Sequence, residues 1–226
     1  MFRLKIVIIV VGAFLAFDGF KEWKVSRGTS TKPDAVELSE LEKSPDISNN
    51  HLKVGDHIAI YSDCVYQYEV KDGETGEPTS EAKVYHTYYP IISHDHPHIR
   101  EIDDMVEKYG DVDKIPDAEW PELEKFTVLV KTGKFKTLGD IPDEWKNFES
   151  LQGLVINRIH SLSGEEKDLV QSSFPTLDLE KLLIIEEGRV PSSGLKSGIL
   201  MGGGAILILV GLGLFFVPSK KTNPSA

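Results

Sequence analysis

Three histidines at alternate positions are the residues of this sequence that could bind a metal ion. His94, His96 and His98 stand in the segment SHDHPH, and two aspartates follow at positions 103 and 104. In an extended chain, side chains two residues apart point to the same side, so three imidazoles could converge on one divalent cation. Neutral imidazole suits Zn, Cu or Ni, and a carboxylate would complete the set of ligands. One hypothesis is therefore a metal-binding protein or metal-dependent membrane-bound enzyme, with a divalent metal such as Zn as its cofactor.

A second interpretation of the same segment needs no metal. Pro97 interrupts a regular strand, because its ring nitrogen carries no hydrogen for a ladder hydrogen bond. The segment then forms a polar loop between a strand and a helix, in which Asp95 or His98 caps a helix that begins at Ile99. Alternation of the histidines does not by itself distinguish the two interpretations.

The sequence contains no recognised catalytic or cofactor-binding motif. The patterns G-x-S-x-G, H-E-x-x-H and G-x-G-x-x-G and the P-loop are absent. Cys64, the only cysteine, lies on the apolar side of a predicted strand, which favours a buried and unreactive thiol. Tyr85, Tyr88 and Tyr89 predict either an exposed recognition patch or half-buried strand side chains. We therefore predict no catalytic residue and favour a non-enzymatic protein.

Two apolar runs, one near each end of the chain, determine how the rest of the sequence is positioned. The C-terminal run has 19 residues without a charge. At about 1.5 Å per residue such a helix crosses a hydrocarbon core of about 30 Å, so we predict a transmembrane helix over residues 198–217. The N-terminal run has only 12 residues and fits either a transmembrane anchor over residues 1–20 or a signal-like segment. Because no A-x-A-like cleavage site follows it, we favour the retained anchor and an integral membrane protein with two spans.

A glycine pattern marks the C-terminal span as a surface for helix pairing. Gly198 and Gly202 have the GxxxG spacing, which allows two transmembrane helices to approach closely. We predict that these glycines contact another helix, which would belong to the first span, to a partner protein or to a second copy of the chain.

The region between the two runs is predicted to form one acidic domain of the α+β class. The predicted order is the N-terminal anchor, a linker over 21–33, the domain over 34–187, a linker over 188–197, the C-terminal helix and a short basic tail over 218–226. Strands and helices alternate without a strict βαβ rhythm, which predicts a single mixed domain with β-hairpins and short helices, flanked by two transmembrane helices.

Individual elements of the domain follow from local patterns. Alternating apolar residues over 57–70 predict a strand, and with turn residues at 71–78 and a second strand over 82–92 they predict a β-hairpin with a long loop. A helix is predicted from Ile99 to the residues before Gly110, another from Pro142 through Leu151, and a third after the Ser-x-x-Glu capping box at 163–166.

Charge limits the partners of the domain. Residues 21–195 carry 35 acidic and 20 basic residues, a formal net charge of −15. Such a domain repels nucleic acid and anionic lipid headgroups, so neither is expected as its partner. We predict a membrane-anchored scaffold or accessory (assembly) factor that binds a partner protein at the membrane. Basic residues flank both sides of the spans almost equally, and the signal-like N-terminus favours cytoplasmic termini with an extracytoplasmic domain.

Overall fold

The computed structural model describes residues 2–27, 29–69, 77–158, 162–192 and 194–216. The described residues within 1–31 and 191–226 form a helical unit, and those within 32–190 form a globular unit. The described part of the chain contains five α-helices: α1 (Phe2–Ser26), α2 (Leu38–Lys43), α3 (Pro97–Tyr109), α4 (Gly164–Ser173) and α5 (Gly194–Phe216). It also contains nine strands: β1 (Asp34–Val36), β2 (His51–Val54), β3 (His57–Ile60), β4 (Val65–Tyr68), β5 (Val84–Ile92), β6 (Val128–Thr132), β7 (Trp145–Phe148), β8 (Leu151–Val155) and β9 (Leu183–Glu187). The predicted basic tail over 218–226 and most of the predicted turn over 71–78 lie outside the described residues.

The helical unit is an antiparallel pair of long helices, α1 and α5. At one end of the pair the Lys5 ammonium donates a hydrogen bond to the carbonyl oxygen of Leu214. At the other end the Ser192 hydroxyl donates to a carboxylate oxygen of Glu22 over 2.5 Å. Helix α1 continues to Ser26, so the first part of the predicted linker over 21–33 is helical.

Only one described helix, α5, is long and apolar enough to cross a membrane. This result confirms a candidate span at the C-terminal end and corrects the prediction of two. Helix α1 has 25 residues, which is long enough, but every stretch of 18 residues within it contains at least three charged residues. Asp18, Lys21 and Glu22 extend the helix well beyond the apolar run, and this extension dilutes its hydropathy.

The globular unit is built on one curled, mixed sheet. Its strand order is β1-β2-β8-β9-β6-β5-β3-β7, with β4 pairing beside β3 on the same long strand, β5. The β1–β2 and β6–β9 pairs are parallel, and the other pairs are antiparallel. The observed domain is therefore a mixed α/β domain, in agreement with the coarse fold prediction.

The predicted strand over 57–70 is two strands. A turn closed by a hydrogen bond from the Cys64 N–H to the Tyr61 carbonyl (3.2 Å) separates β3 from β4, and both then pair with β5. Pro90, which has no N–H to donate, lies on β5 in the interval between these two pairings. The partner strand predicted over 82–92 is present as β5.

The predicted helix from Pro142 through Leu151 is wrong. This segment instead forms β7 and the start of β8, and β7 pairs antiparallel with β3, placing Trp145 opposite Ile60 and Phe148 opposite His57. The spacing of Trp145, Phe148 and Leu151 suits a helix, but pairing with a distant strand overrides that local preference.

Apolar side chains cover both faces of the sheet. On one face, residues such as Val130 pack with Leu38 and Leu41 of α2. On the other face, residues such as Leu129 pack with Val170 of α4. Full burial of a Val or Leu side chain contributes about 1.5–3 kcal/mol, so the two clusters hold the helices on the sheet.

Candidate functional site

The three predicted metal ligands lie in three different environments. His96 is the N-cap of α3, and its Nδ1 accepts a hydrogen bond from the His98 N–H over 3.2 Å. His94 is exposed, with its Nε2 3.4 Å from a carboxylate oxygen of Asp56. His98 is buried, and its ring centroid is 5.7 Å from that of Trp145.

The convergence that the metal hypothesis requires is therefore not found. Among the described residues, no group of three His, Cys, Asp or Glu side chains is placed to hold a metal ion. The physical reason is Pro97, which occupies the first helical position of α3, where its missing N–H costs nothing. The chain leaves the extended conformation there, so the alternation of His94, His96 and His98 no longer places them on one side. The loop-and-cap interpretation gives the correct role to the wrong residue, because His96 rather than Asp95 or His98 caps the helix.

The other predicted candidates are mostly buried. Tyr88 and Tyr89 expose 1% and 3% of their surface, and only Tyr85 is exposed, so the three tyrosines form no surface patch. Burial raises the pKa of the Cys64 thiol to about 11, which disfavours the nucleophilic thiolate at neutral pH.

A partly buried polar cluster that the sequence did not reveal centres on Glu166. One carboxylate oxygen accepts hydrogen bonds from the Tyr88 hydroxyl (2.8 Å) and the Lys131 ammonium (2.5 Å). The other accepts from the backbone N–H and the hydroxyl of Ser163, at 3.0 and 2.9 Å. Burial opposes ionisation, but these hydrogen bonds outweigh it and lower the pKa of Glu166 to about 2.

Sheet register and helix capping place the members of this cluster. Tyr88 on β5 is directly opposite Lys131 on β6, so their side chains share one face of the sheet. Glu166 is the third residue of α4 and completes the predicted capping box with Ser163. The cluster thus fixes the first turn of α4 to the sheet.

A cleft with a volume of 310 Å³ opens between β4 and this first turn of α4. Its walls carry aromatic, acidic, amide and aliphatic side chains: Tyr66, Gln67, Tyr68, Glu165, Glu166 and Leu169. The two tyrosine rings are half-buried and pack edge to face, with centroids 6.1 Å apart. Because Glu166 is committed to Lys131 and Tyr88, the exposed carboxylate of Glu165 is the charge that the cleft can offer to a ligand.

The strand that forms one wall of the cleft has an open edge. Within the described residues β4 pairs with β5 alone, so the backbone groups on its other side can bind an added strand. Aromatic faces attract cations, and an adjacent carboxylate strengthens this preference. The cleft therefore suits an extended segment that carries Lys or Arg.

The predicted helix-contact glycines of α5 lie outside its contact with α1. A Cβ atom added to Gly198 or Gly202 would have no neighbour within 4 Å among the described atoms, so α1 does not contact them. Their pairing with a partner protein or a second copy stays a prediction.

The contact between α1 and α5 uses other glycines, at a spacing of seven. A Cβ on Gly204 would lie 2.5 Å from the Ala16 nitrogen, and one on Gly211 would lie 2.5 Å from Cγ1 of Ile9. Gly12 and Gly19 are the corresponding close-contact positions on α1. Heptad spacing keeps one seam of a helix facing its partner, and it is the signal by which the sequence could have revealed this interface.

Comparisons of the chain with protein-family models, with curated proteins and with solved structures gave no match.

Proposed function

We propose that this protein is a membrane-anchored accessory or scaffold protein whose globular unit binds a partner protein. The observation that carries the proposal is the apolar exterior of α5. Large apolar side chains of this helix are exposed: Leu195, Ile199, Ile206, Leu209, Val210, Leu212, Phe215 and Phe216. Such a surface is costly in water and is stable in the hydrocarbon core of a bilayer.

Helix α1 alone does not qualify as a span, and in this proposal it enters the membrane only as the packing partner of α5. The close contact through glycines supports joint insertion, because small residues allow the van der Waals packing that associates helices in lipid. The charged residues that lower the hydropathy of α1 lie towards its two ends, where Lys5 binds the α5 backbone and Glu22 binds Ser192. Both termini then lie on one side, which we assign to the cytoplasm, and the globular unit lies on the other.

We propose that the partner is an extended, cationic protein segment, because such a segment matches the charge of the globular unit and the shape of the cleft. The globular unit carries 34 acidic and 17 basic residues, a formal net charge of −17, which attracts cationic partners over long range. The cleft adds specific contacts: the faces of Tyr66 and Tyr68, the carboxylate of Glu165 and the open edge of β4.

The test is a binding titration of the full-length protein in detergent with strand-forming peptides of alternating Lys and Val. We expect Glu165→Gln and Tyr68→Ala each to weaken binding about five- to tenfold, because each removes a direct contact. The matched control is Glu107→Gln, which removes the same charge from an exposed position on α3. Equal weakening by Glu107→Gln and Glu165→Gln would show diffuse attraction to the acidic surface and would contradict the cleft.

A further inference from the structure

A second cleft, within the helical unit, lies where α1 ends and α5 begins. It has a volume of 450 Å³, within the range of small-molecule sites. Residues that line it include Trp23, Ser26, Arg27, Thr29, Ser192 and Gly194. Its lining thus joins one guanidinium and one indole to several hydroxyl groups.

Thr29, which lines this cleft, has a hydroxyl group without a described hydrogen-bond partner. Its oxygen is buried and has no hydrogen-bond partner within the described part of the chain. Leaving a buried hydroxyl unsatisfied costs about 1–3 kcal/mol, so a polar ligand atom at this position would be stabilising. Gly194 begins α5, whose first N–H groups have no acceptors within the helix and favour an anion.

Arg27, which lines the cleft, is one of three cations near the end of α1. Each lies four residues after an aromatic ring of α1 and stacks on it: Lys21 on Phe17, Lys24 on Phe20 and Arg27 on Trp23, at 4.6, 5.1 and 5.1 Å from the ring centroids. Aromatic and basic side chains together are typical of the membrane–water interface, where rings sit at headgroup depth and cations attract anionic lipids. The carboxylate of Glu22 lies near but accepts the Ser192 hydroxyl.

The charge of the chain is divided between its two units. The helical unit carries eight basic and two acidic residues, a formal net charge of +6, whereas the globular unit carries −17. The formal net charge of −15 over residues 21–195 combines parts of both units and therefore does not show this division. The exclusion of anionic headgroups therefore applies to the globular unit and not to the helical one.

We propose that the cleft binds the phosphate of an anionic phospholipid headgroup. The Arg27 guanidinium pairs with the phosphate oxygens, Thr29 and Ser26 bind the phosphate or headgroup hydroxyls, and Trp23 lies at the depth of the glycerol. The inference rests on the proposed membrane anchoring, because only then does the start of α5 meet the headgroup layer.

The experiment measures lipid selectivity of the full-length protein in phosphatidylcholine vesicles. Spin-labelled phosphatidylglycerol and spin-labelled phosphatidylcholine are compared by the fraction that the protein immobilises. We expect about a tenfold preference for phosphatidylglycerol, because no choline neutralises its phosphate charge and its glycerol adds hydroxyl groups. This preference should fall to about twofold in Arg27→Gln. Thr29→Val should lower the preference about threefold while leaving thermal stability unchanged or higher, because it removes an unsatisfied buried hydroxyl.

The control is Lys24→Gln, which removes an equal charge from a residue that stacks on Phe20. Equal losses in Lys24→Gln and Arg27→Gln would show diffuse surface attraction and overturn the cleft, as would equal binding of the two lipids by the unaltered protein. A different result would be that inorganic phosphate binds the detergent-solubilised protein through Arg27 while the protein shows no lipid preference in vesicles. That result would overturn the lipid proposal and identify a free anion as the ligand. If alkaline carbonate extracts the protein from vesicles, membrane anchoring itself is contradicted. If the protein is retained but shows no lipid preference, only the present inference is contradicted.

Discussion

The carboxylate of Glu166 accepts four hydrogen bonds, two from the sheet residues Tyr88 and Lys131 and two from Ser163 at the N-cap of α4. We expect Glu166→Gln to lower the free energy of unfolding by about 2–3 kcal/mol, because it leaves the Lys131 ammonium, which is 12% exposed, without its counter-charge. Denaturant unfolding of the full-length protein in detergent measures the loss. The neighbouring change Glu165→Gln, at an exposed carboxylate, should alter stability by no more than about 0.5 kcal/mol. Similar effects of the two substitutions would contradict a stabilising role for the Glu166 cluster.

Two buried histidines, His57 and His98, and the half-buried His86 make stability depend on pH. Burial lowers the pKa values of His57, His86 and His98 below their ordinary value of 6.5, and Lys131 adds to the effect at His86. Each imidazole stays neutral in the fold at a pH where the unfolded chain takes up a proton. The unfolded state then binds more protons, so the free energy of unfolding decreases as pH falls through 6.5. Unfolding curves between about pH 7.5 and pH 5.5 test this, and His98→Phe should flatten the slope. A slope of zero in the unaltered protein would refute the prediction.

Sequence patterns predicted local contacts at the residue scale and missed the distant ones. The capping box of Ser163 and Glu166 is confirmed, because both partners lie within one helical turn. The bonds from Glu166 to Lys131 and Tyr88 span 35 and 78 residues of sequence and depend on the register of β5 and β6. Similarly, His94, His96 and His98 alternate in sequence, but the helix that begins at Pro97 ends the extended conformation in which alternate side chains share one side.

Among the elements, the pairing of α1 with α5 depends on the absence of side chains at the seam. Gly204→Leu should separate the two helices, because even a Cβ there would lie 2.5 Å from the Ala16 nitrogen. Disulfide formation between Lys5→Cys and Leu214→Cys, in a Cys64→Ser background, reports the pairing. The matched control is Gly202→Leu, at a position with open space around it, and it should leave the disulfide yield unchanged. Loss of the disulfide in the control alone would reverse our assignment of the two glycine faces.

Strand pairing explains which elements the sequence predicted correctly. Strand β5 has nine residues, the last six of which are all buried, and it ends at Ile92 as predicted. The segment over 142–151 carries apolar residues at helical spacing, yet the open side of β3 supplies a pairing partner for it. Gly110, with a φ of +80°, ends α3 as its position predicted, since this left-handed conformation favours glycine.

For the whole molecule, the proposed entry of α1 into the membrane beside α5 predicts that a reagent reaches the globular unit and the N-terminus from opposite sides of the membrane. In a Cys64→Ser background, we expect Glu107→Cys to react with a membrane-impermeant maleimide added to intact cells. Arg3→Cys should react only after the cells are opened, because it precedes α1. Labelling of both positions from the same side would show that α1 does not cross the bilayer.

The seam between α1 and α5 also sets an order of events during synthesis. Helix α1 ends at Ser26 and α5 begins at Gly194, so the ribosome must make the entire globular unit between them. At about 5–20 residues per second this takes roughly 10–30 s. Throughout that interval the glycine-lined face of α1 has no α5 to pack against. Slower translation of the globular unit should therefore lengthen the time for which this face of α1 is open to proteolysis, although neither helix is altered.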